Sequence, residues 1–188
     1  MEWRTQRVDR LNELEEVHRR IAGTAPGRKW LTEELDRSYV VVLASQFQGF
    51  CRDLHSEAVA VVAAQAPALM QGILESSFTL RRYLDRGNPT PGNIGSDFAR
   101  FGFDFWDAVY ARDARNGRRR ELLDQVMIWR NAIAHDSPVP QGDRPKIVGT
   151  SPTLTWGRRW RRGLSALAPS FDRVLAARLQ ALVGNQPW

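Results

Sequence analysis

The stretch "SYVVVLASQFQGFCRDLHSEAV", Ser38 to Val59, has a strongly periodic apolar pattern. Its apolar residues, continued two positions beyond the quoted end, step by 4, 4, 3, 4, 4 and 3: Tyr39, Leu43, Phe47, Phe50, Leu54, Ala58 and Val61. This spacing places all seven side chains on one face of an α-helix. The β-branched run from Val40 to Val42 suits a strand, but the helical spacing outweighs it. The stretch therefore predicts one long helix with a buried face.

Further helices are predicted on both sides of this segment. A helix from Arg4 to Ile21 is indicated by apolar residues at helical spacing: Leu11, Leu14, Val17 and Ile21. A shorter helix is expected from Ala68 to Leu84. The sequence "GNPTPGNIG", Gly87 to Gly95, predicts a loop because it contains two prolines and three glycines. Ser96 is then expected to cap the next helix.

Two apolar faces follow in the second half of the chain. The first contains Phe98, Phe101, Phe105 and Val109, and its aromatic density suits a core or an oligomer interface. The second belongs to a helix predicted from about Arg118, with Leu122, Val126, Trp129 and Ile133 along it. Pro138 and Pro140 are expected to end that helix.

Together these patterns predict an all-α fold, a single domain of 188 residues built as a bundle of four to five main helices. The core is expected over about residues 4–136 and the final helix over 158–184. Residues 137–157 are rich in glycine, proline, serine and threonine. They are expected to form a small irregular or hairpin insertion, with 147–148 pairing with 153–155.

Composition narrows the function classes. One cysteine, Cys51, excludes an intrachain disulfide and a cysteine-rich zinc site. Asp104 and Asp107 are spaced to share a metal ion, but nothing completes a ligand set, so no metal or cofactor is expected. His55 lies beside the apolar stripe, where a partly buried histidine is expected. No secretory signal or membrane-spanning run is recognised, and a cytoplasmic protein with no membrane association is expected.

Positive charge is concentrated in two segments. The net charge is +6, and 25 of the 27 basic residues are arginines. Segments 111–120 and 156–173 each carry five arginines and one aspartate, so the rest of the chain is net negative. Such clustering is what a phosphate-binding surface requires, although two solvated helix faces would give the same pattern.

Nine residues in these segments are candidate RNA contacts. Indoles stack on bases and guanidinium groups hold phosphates. The alternative for the second segment is that its tryptophans pack in the bundle beneath the arginine stems. The candidates are Arg118, Arg119, Arg120, Trp156, Arg158, Arg159, Trp160, Arg161 and Arg162.

The sequence "IWRNAIAHDSP", Ile128 to Pro138, contains the main candidate for chemistry. Asn131 and His135 are four residues apart and share a helix face, whereas Arg130 lies roughly 140° around the axis from His135. Because the helix is expected to end near His135, the long arginine side chain can still converge on the histidine. Histidine exchanges protons near neutral pH, and arginine binds phosphate and stabilises its developing charge.

A structural interpretation of the same residues remains open. The helix dipole favours a histidine near the C-terminus of a helix. Arg130 would then pair with Asp136 or another carboxylate, and Asn131 would only cap the helix.

The segment "RNAIAHD" resembles the R-x4-6-H signature of HEPN domains in its form with asparagine after the arginine. The stretch from Ser38 to Val59 is similar to the long helix that precedes this signature in branches near the RiboL-PSP-HEPN group. The resemblance covers about residues 37–135. It implies a helical bundle that dimerises, with a composite site in the dimer cleft.

The resemblance also implies an activity. Many HEPN proteins are metal-independent endoribonucleases that act as toxins or antiphage effectors, and some are inactive RNA-binding or protein-binding modules. Carried over, Arg130, Asn131 and His135 are the catalytic residues. RNA, a second copy of the chain and a cognate antitoxin or defence protein are the implied partners. One toxin branch has a tyrosine two residues after the histidine, and Ser137 stands there in this chain.

Overall fold

A computed structural model describes residues 3, 6–21, 28–184 and 186–188. The helices of these residues are α1 (Gln6–Ile21), α2 (Arg28–Ala63), α3 (Ala68–Thr79), α4 (Tyr83–Arg86), α5 (Pro91–Phe98), α6 (Phe105–Arg112), α7 (Asn116–Ala134) and α8 (Leu154–Val183). Short 3₁₀ helices cover Ala99–Phe101 and Arg144–Lys146. The described ranges contain no strand. The fold is therefore all-α, as predicted, and four of its helices have at least 16 residues.

The chain forms two compact units. The first comprises Met1–Phe47 and Arg119–Ser165, and the second comprises Gln48–Arg118 and Ala166–Trp188. No helix in the described ranges combines the length and the apolar character that crossing a bilayer requires. The predicted helix start at Arg4 and Thr5 lies outside the described residues, as do the glycines and proline between α1 and α2.

The first unit is packed around the predicted apolar face of α2. Tyr39, Leu43 and Phe47 are at most 1% exposed. Trp3 meets Phe47 edge to face, with 5.4 Å between the ring centroids. Burying each large apolar side chain contributes about 1.5–3 kcal/mol of transfer free energy. Helix α8 approaches this core closely, because a Cβ atom at Gly157 would lie 2.7 Å from a ring carbon of Tyr39.

The second unit has an aromatic core. Phe98 and Phe105 stack with centroids 4.4 Å apart, and Phe171 packs against Phe105 at 4.8 Å. All three are at most 1% exposed. The aromatic face predicted from the sequence is therefore core, and its alternative as an oligomer interface does not fit this burial.

Two predicted boundaries in the second unit are wrong. The segment 87–95 is only partly a loop, since α5 begins at Pro91 and contains Ser96. Proline suits the first helical position, where its missing N–H is not needed, and Thr90 caps the helix by accepting from the Asn93 N–H at 3.2 Å. The helix predicted over 68–84 ends at Thr79, because Leu80 leaves the helical conformation with a ψ of 125° and Arg81 then adopts a left-handed φ of 56°.

The predicted hairpin is also wrong. Residues 147–148 and 153–155 form no strands, and α8 begins at Leu154 instead of residue 158. Thr153 stabilises this earlier start by accepting a hydrogen bond from the Trp156 N–H at 3.4 Å. The Asp36 carboxylate accepts a further bond from the backbone of Leu154. Of the two forms expected for the insertion, irregular or hairpin, the structure therefore has the irregular one.

Candidate functional site

The C-terminus of α7 positions the candidate motif. The helix ends at Ala134, as the two following prolines predict. Asp136 then takes a left-handed φ of 43°. The N–H of Ser137 donates to the carbonyl of Ala132 at 3.0 Å, and that of Asp136 donates to Ile133 at 3.2 Å. These two bonds form a Schellman motif, which fixes the direction in which the chain leaves the helix.

Arg130, Asn131 and His135 all lie at this end of α7, but within one chain they are not all in contact with one another. His135 is exposed, while Arg130 and Asn131 are half-buried. Arg130 Nη1 donates to Asn131 Oδ1 at 3.4 Å. In the ranges given above, no hydrogen bond or ion pair joins Arg130 to His135. Arg130 and His135 therefore do not form the direct contact that their positions in the sequence would allow.

The ion pair between Arg130 and Asp136, the simplest structural role expected for this arginine, is not formed. Asp136 lies 3.4 Å from Arg37 Nη2, so its ion pair is with α2 and not with Arg130. The Asp136 side chain is 96% exposed, and such a pair contributes little to stability. Asn131 accepts a hydrogen bond from Arg130 at 3.4 Å and makes a further interaction.

A cleft of about 590 Å³ lies beside the motif, and we call it the α7 cleft. It is bounded by the first turns of α2, by the last turns of α7 and by parts of segment 136–152. Helix α7 contributes Trp129, Ala132 and Ile133, whose spacing places them on one face. Asp136 and Ser137, immediately after His135, also line it.

The rim of the α7 cleft is charged. Arg37 is held between Asp136 at 3.4 Å and Glu34 at 3.8 Å. Arg144 Nε donates to the carbonyl of Val139 at 3.5 Å, which leaves its terminal nitrogens for other partners. Glu33 is exposed and makes no ion pair within the described part of the chain. Sequence reasoning missed this cleft, because its walls come from segments far apart in the chain.

The predicted RNA contact at Trp160 is wrong. This side chain is 0% exposed, and its indole N–H donates to Gln125 Oε1 at 3.0 Å. Stacking on a base would require the ring to leave the core. The alternative stated above, that a tryptophan of this segment packs in the bundle, is correct for Trp160.

Two arginines of the same segment are bound to a carboxylate. Arg158 and Arg161 donate to Glu15 at 2.9 and 2.7 Å. Burial alone raises the pKa of Glu15, but hydrogen bonds from Tyr39 and from these two arginines outweigh it and lower the pKa below its ordinary value. Arg161 is also only 18% exposed. Both guanidinium groups therefore help to hold α8 to α1.

The remaining residues of the segment are more accessible. Trp156 is half-buried, and the guanidinium carbon of Arg159 lies 4.9 Å from the centre of its ring. Arg162 is exposed. Arg159, Trp156 and Arg162 thus remain candidates for contact with RNA.

The other predicted arginine cluster opens α7, as expected. Arg118 is exposed, whereas Arg119 and Arg120 are half-buried, and all three make further interactions. At helical rise Arg119 lies about 24 Å along α7 from His135. These arginines are placed for flanking contacts and not for contact with the reacting phosphate.

A second cluster of titratable groups occurs in the second unit, around His55. His55 is 0% exposed, and its Nδ1 lies 3.3 Å from Arg82 Nη1. Arginine can only donate, so Nδ1 accepts and Nε2 carries the proton, which it donates to the carbonyl of Asp97 at 3.2 Å. Arg82 also binds Asp85 through two nitrogens, at 3.0 and 2.8 Å. This closed network has a structural role.

No group of three or more histidine, cysteine or acidic residues in the described ranges is arranged to hold a metal ion. Comparison of the chain with protein-family models, with curated proteins and with solved structures finds no match.

Proposed function

We propose that this protein is a HEPN-type endoribonuclease that cleaves RNA without a metal ion. The observation that carries the proposal is the exposed His135 directly after the end of α7, with Asn131 on the same helix face and Arg130 beside it. A histidine that is not enclosed by the protein can exchange a proton with a substrate. The net charge of +6 supports binding to a polyanion.

The proposed reaction needs only these side chains. His135 accepts the proton of a ribose 2′-hydroxyl, and the oxygen attacks the adjacent phosphorus. The bond from phosphorus to the 5′ oxygen of the next nucleotide breaks, and that oxygen takes up a proton from water, while His135 later returns its own proton to the solvent. Arg130 binds the phosphate and stabilises the added charge of the transition state. The products are a 2′,3′-cyclic phosphate and a free 5′-hydroxyl.

A second copy of the chain is part of this proposal. Arg130 and His135 are not in direct contact, so two copies facing each other would supply a more complete set of cations and bases. Exposed apolar surface supports such association. Helix α3 has no buried residue, and Leu69 and Ile73 on it are 88% and 60% exposed. A toxin or antiphage role in the cytoplasm, with an antitoxin or defence partner, belongs to the same proposal.

The test is cleavage of total RNA and tRNA in EDTA by the wild-type protein and by two variants, His135→Ala and Arg130→Ala. The exposed Gln141→Ala is a matched control. We expect both motif variants to lose activity by about 10²–10⁴-fold and the control to retain it. Undiminished cleavage by either motif variant would exclude that residue from the reaction.

A second candidate is an inactive HEPN module that binds RNA or a protein. The observation in its favour is that Arg130 donates to Asn131 and is not joined to His135. Such a module would bind RNA with an affinity that falls steeply with salt, and no product would form.

A further inference from the structure

A groove on the surface of the second unit takes no part in the proposed reaction. It lies between α6 and the C-terminal half of α8 and has a volume of about 420 Å³, and we call it the α6 groove. We propose that it binds an acidic amphipathic helix of a partner protein, with apolar side chains against its floor and carboxylates against its arginines. This inference does not depend on whether the protein cleaves RNA.

The floor of the α6 groove is apolar and consists largely of small side chains. Ala108 and Ala111 of α6 are three residues apart, as are Val174 and Ala177 of α8, so each pair shares a helix face. Val174 lies deepest, at 7% exposed, whereas Ala111 and Ala177 are exposed and can be reached by a partner. Short side chains allow a third helix to approach to about 8–10 Å between axes, the distance at which helices pack. The floor therefore suits a helix with an apolar stripe.

The charge of the α6 groove is positive on both sides. Arginines line it, Arg112 from α6 and Arg173 and Arg178 from α8, and none of the described residues in its lining is acidic. Arg112 and Arg173 are exposed, and neither forms a hydrogen bond or an ion pair with another described residue. Like charges around one groove repel each other, and carboxylates of a partner would relieve this repulsion. The partner should therefore carry acidic residues on both flanks of its apolar stripe.

Arg178 is held in position by its own chain. Its Nε donates to the carbonyl of Phe101 and its Nη2 to that of Gly102, both at 3.0 Å. Its guanidinium carbon also lies 5.7 Å from the centre of the Phe103 ring, which lines the same groove. A guanidinium group that is already fixed loses little conformational freedom when it binds a carboxylate. Arg178 is thus preorganised to receive one.

The lining favours a protein helix over RNA. An unpaired base that is bound specifically needs a stacking surface and hydrogen-bonding groups for its edges. Alanine and valine side chains provide no hydrogen-bonding groups. Among the described lining residues Phe103 alone is aromatic, and the Arg178 guanidinium already lies against its ring.

Fluorescence anisotropy of a labelled helical peptide with the full-length protein tests the inference. The peptide has leucines at i, i+3, i+4 and i+7 and glutamates on both flanks of that stripe. We expect it to bind at least about tenfold more tightly than the same peptide with lysine in place of glutamate, or than a scrambled peptide of the same composition. Its affinity should also fall as salt is added, because ions screen the arginines.

Two variants locate the binding. Ala111→Glu places a negative charge at an exposed position of the floor and should weaken peptide binding at least about tenfold. Ala114→Glu makes the same change at an exposed residue outside the α6 groove and should leave the affinity nearly unchanged. The double variant Arg112→Gln/Arg173→Gln should also weaken binding, and it leaves the floor as it is. Thermal unfolding checks that each variant is folded, and the double variant decides if Ala111→Glu is not.

The inference and the proposed function fail in different ways. Equal binding of the three peptides, no measurable binding, or equal affinity of the wild type and the double arginine variant would overturn the peptide groove. Binding of poly(U) RNA that Ala111→Glu abolishes, without binding of the glutamate peptide, would assign the groove to nucleic acid and overturn it as well. RNA cleavage by the wild type, or its absence, alters none of these results.

Discussion

His55 and His135 lie in opposite environments in this protein. His55 is fully buried, and both of its ring nitrogens are engaged, one by Arg82 and one by the carbonyl of Asp97. Burial and the charge of Arg82 lower its pKa to about 4, so it stays neutral. His135 is exposed after the end of α7. The comparison teaches that a closed network makes a histidine structural, whereas an open helix end leaves it available for chemistry.

The largest effect on stability is expected from breaking the closed network. Arg82→Ala should lower the free energy of unfolding by about 2–3 kcal/mol, because the buried Nδ1 of His55 loses its donor. The partly exposed Asp85 loses two hydrogen bonds but keeps its ion pair with Arg52 at 3.1 Å. Urea denaturation would measure this loss. Arg86→Ala removes an exposed arginine of α4, the helix that follows Arg82. It is the matched control and should cost less than about 0.5 kcal/mol. Equal losses in the two variants would contradict the role of the network.

Acid should weaken the same network by a comparable amount. The pKa of His55 is about 4 in the folded protein and about 6.5 in the unfolded chain. As the pH falls below about 6.5, the unfolded chain takes up the proton first, so stability falls until about pH 4. The total loss is on the order of 3 kcal/mol, and this contribution is fully present above pH 6.5.

Denaturation at pH 7 and pH 4.5 would test this dependence against His55→Gln. The free energy of unfolding of the variant should fall less between pH 7 and pH 4.5, because the variant lacks the titrating histidine. An identical change with pH in the variant and the wild type would show that His55 does not titrate as described.

A smaller effect is expected where α8 packs against α2. Gly157→Ala would place a Cβ atom 2.7 Å and 2.9 Å from two ring carbons of Tyr39, which is buried and bound to Glu15. We expect a net loss of about 1 kcal/mol, since overpacking outweighs the better helix propensity of alanine. Gly117→Ala, with nothing within 4 Å, should instead be neutral or slightly stabilising. Thermal unfolding of both variants separates the two cases.

The smallest effect on stability is expected at His135. His135→Ala should change the free energy of unfolding by less than about 0.5 kcal/mol, because the side chain is exposed. This small change contrasts with the large loss of unfolding free energy expected for Arg82→Ala. A loss of several kcal/mol would place His135 in a structural role and remove the contrast with His55.

Local patterns were sufficient to predict much of the helical structure. The apolar face of α2 follows from the spacing of Tyr39, Leu43 and Phe47, and the end of α7 follows from the prolines after it. These features depend on residues close together in the sequence. The candidate motif lies at a helix end for the same reason.

Features that depend on distant residues were not predictable in this way. The burial of Trp160 depends on Gln125, and the α7 cleft depends on α2, α7 and the insertion together. The early start of α8 depends partly on Asp36. The start of α5 at Pro91 had a local signal, a threonine before a proline, which the nearby glycines obscured.

The most direct test of the central claim is cleavage of RNA in EDTA by the wild-type protein beside His135→Ala, with the product ends mapped. We predict discrete cleavage by the wild type alone, leaving 2′,3′-cyclic phosphate ends, while both proteins show the same thermal unfolding. Cleavage by a folded His135→Ala protein, or the absence of cleavage by the wild type on every RNA tested, would contradict the account.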